Sequence, residues 1–159
     1  MSDFSVRLFY SYCHADEEHR INMEKYLTIL RGDGVLKEWC DRKILAGSHI
    51  QNNIQRELEA ADIVVFLVSI DFLNSKACQE EWELAKKLAE ESEKRLISII
   101  VRKCPWTDFD NMKDSLVLPT DGKEIVSWNN VDDAWFDVYT GMKKVINDIK
   151  MTFEVKKNS

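Results

Sequence analysis

Six consecutive apolar residues, Ile63-Val64-Val65-Phe66-Leu67-Val68, bounded by Asp62 and Ser69, constrain the fold of this chain more than any other feature. Their β-branched and aromatic content suits an extended strand. Because the run does not alternate with polar residues, both of its faces must be covered, the condition of a central strand in a parallel sheet. Helices are therefore required above and below it.

The rest of the chain supplies them. Val6 to Tyr12 is a β-rich run opening onto Cys13-His14-Ala15-Asp16, and from Glu17 to Arg31 the residues Met23, Tyr26, Leu27 and Leu30 recur at helical spacing before Gly32-Asp33-Gly34 stops them. Val35 to Cys40 reads as a second strand and Asp41 to Ser48 as a polar, Gly-punctuated loop, after which Ile50, Ile54, Leu58 and Ala61 mark one stripe of a helix. A third helix is expected from about Cys78 to Lys94, a fourth strand over Leu96 to Val101, and a short edge strand at Ile125-Val126-Ser127-Trp128. Val131, Trp135, Val138, Met142, Val145 and Ile149 then alternate spacings of four and three along a last helix. Strand and helix alternate about five times, which predicts an α/β fold: a doubly wound parallel sheet of about five strands with helices on both faces.

The 22 basic and 28 acidic residues are interspersed and leave a formal charge of −6, no footprint for nucleic acid or an anionic membrane. No apolar run is long enough to span a bilayer and Met-Ser-Asp-Phe does not open a signal peptide, so a cytoplasmic domain is expected. Cys13, Cys40, Cys78 and Cys104 form no CxxC pair and have no His at zinc-finger spacing, so the expectation is reduced thiols and no metal. A single domain over residues 1–152 is expected, with residues 153–159 a charged tail or the start of a linker.

Ligands of such sheets bind beyond the carboxyl ends of the strands, which directs attention to Cys13 to Asp16, Asp41 to Ser48 and Ser69 to Glu81. Three carboxylates cluster there, Glu80, Glu81 and Glu83, and a helical wheel separates them. Glu81 falls on the apolar face of Cys78, Trp82, Leu84, Ala85 and Leu88, in the expected first turn, while its neighbours point away. A carboxylate on such a face is costly to bury unless paired or used. Periodicity alone leaves open that Glu81 caps its helix or pairs with a lysine. His14 is equally compatible with a capping role, Arg42 and Lys43 with a solvated turn, and Trp82 and Trp135 with core filling. GxGxxG, GxxxxGK[ST], GxSxG and HExxH are absent, and strand one ends without the acidic pair of a response-regulator receiver.

The run Phe9-Tyr10-Ser11-Tyr12-Cys13-His14-Ala15-Asp16 resembles the first box of TIR domains, Asp41 through Leu45 to Gly47 resembles their BB loop, and Phe72 through Cys78 to Glu81 resembles the segment opening their third major helix. Three motifs in order cover nearly the whole chain, in a style closer to bacterial than to animal or plant members. The resemblance implies a flavodoxin-like TIR fold. Some TIR domains only associate, as scaffolds, while others cleave NAD between nicotinamide and ribose with a glutamate that the motif match places at Glu81.

On that resemblance Glu81 is the catalytic residue, NAD is the substrate with no further cofactor, and the product is ADP-ribose or a cyclic isomer. Tyr12, Cys13, His14, Asp16, Arg42, Leu45, Gly47 and Ala77 are then expected to line the substrate cleft. Ala77 stands where active relatives often carry an aromatic, so a stacking surface is either missing or supplied by Tyr10 or Tyr12. Cys13-His14 stand in place of the paired arginines of some members, so phosphate contacts would come from Arg42, Lys43 or a neighbouring subunit. The resemblance further implies activation by homotypic assembly, a C-terminal sensor domain in a longer protein, and a place in bacterial antiviral defence.

Overall fold

Every residue of the central apolar run is buried, and the reason is its position. In the computed structural model, which describes residues 4–32, 36–41 and 50–158, the strand β3 (Ile63–Val68) pairs in parallel with β1 (Val6–Ser11) on one side and β4 (Arg95–Ile100) on the other. With β2 (Leu36–Asp41) beyond β1 and β5 (Leu116–Leu118) beyond β4, the sheet has five parallel strands in the order β2-β1-β3-β4-β5. This is the expected doubly wound sheet.

Alternation along β3 divides the core. Ile63, Val65 and Leu67 join the layer under α1 (Glu17–Gly32) and α5 (Val131–Lys157), whereas Val64, Phe66 and Val68 join the layer under α2 (Ile50–Ala60) and α4 (Lys76–Glu91). Trp135 fills the first layer and Trp82 the second, the latter edge-on to Phe66 with ring centroids 5.0 Å apart. Ser98, the polar residue buried within β4, is satisfied by the Ser115 hydroxyl at 2.8 Å.

Two expected elements move. The edge strand is not 125–128 but β5, and Ile125–Ser127 forms a 3-10 turn with Ile125 buried and Val126 exposed. A run of three residues between Ser115 and Pro119 is too short to show a strand period, yet β4 offers it a free edge to pair with. The third helix begins earlier and is preceded by a short helix α3 (Ile70–Asn74). Ser69 caps α3 by accepting from the Phe72 amide at 3.2 Å, and Ser75 caps α4 by accepting from the Cys78 amide at 3.3 Å. The stretch expected as a tail from residue 153 is helical through Lys157, and Phe153 packs on Phe4 with centroids 5.7 Å apart.

After β5 the chain turns at Gly122, which adopts φ +69° and lies under Trp106; a Cβ built there would sit 2.5 Å from the Trp106 ring. Gly122→Ala is therefore expected to destabilise the fold by about 2 kcal/mol, from left-handed strain plus displacement of the ring. A thermal melt should show a midpoint lower by on the order of 5 °C.

Candidate functional site

Strand order reverses between β1 and β3, since β1 leads through α1 to β2 on one side and β3 leads through α3 and α4 to β4 on the other. In open α/β sheets this reversal leaves a crevice at the carboxyl ends of the two strands. Its walls are the turn His14–Asp16 after β1 and the segment from Ser69 into α4 after β3. A groove of about 810 Å³ also opens between α4, β5 and α5, lined by Lys86, Leu116, Thr140 and Lys144 among others. That groove lies along the β5 edge rather than at the switch point, and no residue of the three sequence motifs is among its described lining.

Glu81 is 4% exposed, on the face of α4 that also buries Cys78, Trp82 and Ala85, while Glu80 and Glu83 are exposed. The wheel thus holds. Because α4 starts at Lys76, Glu81 sits in the second helical turn, not the first, and the N-terminal dipole acts on it less than on a first-turn residue. Ala77, one turn before it, is exposed.

The residues after β1 separate. Tyr12 is 6% exposed and belongs with Tyr10 to the layer under α1 and α5; the Arg20 guanidinium lies 5.9 Å from its ring centroid, and the Tyr10 hydroxyl donates to Glu24 at 2.6 Å. Neither tyrosine shares the layer of Cys78 and Trp82, so neither replaces a stacking ring at position 77 on that side. Cys13 is half-buried and packs into the Trp82 layer, and His14 is exposed. Arg42, Lys43, Leu45 and Gly47 lie outside the described residues.

Asp16 is fully buried, and its carboxylate is already engaged. The Ser69 hydroxyl donates to one oxygen, and Arg102 Nε donates to the other at 2.9 Å. The second arm of Arg102 donates to Asp71 in the first turn of α3. Its hydrogen bonds to Asp16 and then to Asp71 raise the Arg102 pKa above its usual value, so this cation stays charged. Nothing in the sequence marks Asp71 or Arg102 individually, and Ser69 is marked only as a segment boundary; the available signal is one arginine directly after a buried strand, at the ligand end of the sheet.

His19 lies beside this cluster. Burial lowers its pKa, against the opposing pull of Asp16 and Glu18. A base depressed in the folded state binds more protons when unfolded, so its stabilising contribution is present above the unfolded value of about 6.5 and lost as pH falls through the folded one. The urea midpoint should therefore drop from pH 7 to pH 5.5, and His19→Gln should flatten that drop. Burial likewise raises the Cys104 thiol, which disfavours the thiolate needed of a nucleophile.

Among the described residues no helix is long and apolar enough to cross a membrane. The TIR domain family model matches residues 8–136. An uncharacterised protein of Sinorhizobium fredii is 36% identical over 146 residues, which span 91% of this chain and 45% of that protein, so the chain covers about half the length of this relative. The crystal structure of the TIR domain of the Toll-related receptor TRR-2 from Hydra magnipapillata superposes with a TM-score of 0.54 at 16% identity, over 86% of this chain and 97% of that one. The superposition supports the fold, and the match over residues 8–136 the family: this chain belongs to the TIR domain family.

Proposed function

We propose that this TIR domain cleaves NAD at the nicotinamide–ribose bond, with Glu81 as the catalytic carboxylate and self-assembly as the trigger. The observation that carries the reading is a carboxylate 4% exposed on an otherwise apolar helix face, beside the crevice where the strand order reverses. A fixed anion in a dry site stabilises positive charge far better than one in water.

As the glycosidic bond breaks, its electron pair leaves with the nicotinamide nitrogen and an oxocarbenium-like centre develops at the ribose carbon. Glu81 would accept a hydrogen bond from a ribose hydroxyl and oppose that charge. Water adding to the carbon and losing a proton gives ADP-ribose; attack by another group of the same molecule gives a cyclic isomer. Cys13 and His14 would line one wall, Ala77 the helix side, and Arg42, Leu45 and Gly47 the loop side. Asp16, committed to Ser69 and Arg102, would organise that wall rather than touch substrate. Tyr12 would support it from the α1 side.

Homotypic assembly would bring the BB loop of one copy to the crevice of another, and a sensor domain in a longer protein would drive that assembly in antiviral defence. Cytoplasmic placement, where NAD is available, belongs to the same proposal. Clustering the protein on beads or by a fused oligomeriser should raise nicotinamide release per chain at least about tenfold over dilute protein, if assembly completes the site. Clustered protein that releases none would leave the scaffold role, signalling by association alone.

A further inference from the structure

We propose that Arg102 is a positioning residue, whose guanidinium braces the turn after β1 against the α3–α4 segment that carries Glu81 and so sets the width of the crevice between them. The two walls come from segments far apart in sequence. Asp16 belongs to the first, where its own amide donates to the Cys13 carbonyl at 2.8 Å. Asp71 belongs to the second, in a short helix whose last residue is followed by Ser75, the cap of α4. Arg102, just past β4, bonds both carboxylates through different nitrogens, and Ser69 adds a second tie by donating to Asp16 while accepting from the Phe72 amide. A planar fork with donors at fixed angles holds two acceptors at a fixed separation, which a lysine ammonium on a flexible stem does not.

With both arms occupied by carboxylates, the guanidinium keeps its charge but has it balanced, and it is no free subsite for phosphate. Its use is geometric. A misplacement of about 1 Å in a catalytic group can cost on the order of a hundredfold in rate, so a brace between the walls would be felt in turnover. The catalytic consequence rests on the NAD-cleaving reading of Glu81; the mechanical one does not.

Asp71→Asn tests both. The Asp71 side chain is 47% exposed, so this change weakens the α3 arm without stranding a buried charge, and Arg102 keeps its bond to Asp16. Amide hydrogen exchange, followed by NMR, should quicken about threefold or more across residues 70–81 and also at the Asp16 amide on the opposite wall. Asp71→Glu, which restores the charge, should recover most of the protection at both places. In clustered protein kcat for nicotinamide release should fall about tenfold with Asp71→Asn, at unchanged self-association, and recover in Asp71→Glu. Exchange at Asp16 equal to wild type overturns the brace. Release within twofold of an active wild type overturns its positioning role. Coupled exchange in a protein whose clustered wild type releases no nicotinamide supports the brace and counts against the NAD reading instead.

Discussion

Arg102→Ala should lower the unfolding free energy by about 3 kcal/mol, which for a chain of this size is a melting-point loss on the order of 10 °C. The expectation follows from what remains behind. Asp16 is completely shielded from solvent, and removing the guanidinium leaves its carboxylate buried, with the Ser69 hydroxyl its remaining hydrogen-bond donor among the described residues. Breaking one side of a buried pair costs more than the pair contributes, because the surviving charge cannot rehydrate. The Arg102 side chain is itself 33% exposed, which keeps the estimate at the lower end of the range for such pairs. Two controls separate this from a loss of packing. Asp16→Asn introduced beside Arg102→Ala should return part of the loss, since it removes the stranded charge. Lys156→Ala, which breaks a pair with both side chains largely exposed, should leave the urea midpoint where it was. A wild-type midpoint for Arg102→Ala would mean that Asp16 is held by other means.

What could be read from the sequence, and what could not, follows the range of the interactions. The central strand announced itself because six apolar residues in a row admit few other fates, and α1 and α5 did so because their stripes, from Met23 to Leu30 and from Val131 to Ile149, persist over several turns. The three residues of β5 and the five of α3 are too short for any period to emerge; pairing with β4 and capping by Ser69 create them. The inward turn of Glu81 was legible, because a wheel needs only local spacing. Its turn number was not, since the Ser75 hydroxyl that caps α4 looks in sequence like any other polar residue between Asn74 and Lys76.

Asp16 shows the harder limit. An aspartate after a strand looks the same whether it faces a ligand or is locked in the interior, and its partners Ser69 and Arg102 lie 53 and 86 residues away. Tyr12, just past β1, likewise continues the alternation of Val6, Leu8 and Tyr10, but which side of the sheet receives α1 and which α4 is decided by the handedness of the crossovers, a property of the whole fold.

The second large effect concerns Glu81 itself. Glu81→Gln keeps the length and shape of the side chain and removes its charge, so the helix face should pack as before. Uncharged, it can still accept a hydrogen bond from a ribose hydroxyl but no longer opposes a developing positive charge. The loss should therefore fall on kcat more than on KM. Preorganised electrostatic groups of this kind are worth on the order of a hundred- to a thousandfold in rate. The most direct measurement is nicotinamide release from NAD by clustered wild type and clustered Glu81→Gln at equal assembly. The expected result is robust release by wild type and a loss of about a hundredfold or more in the variant; equal release by the two would contradict the role of Glu81, and with it the account of this crevice as its catalytic site.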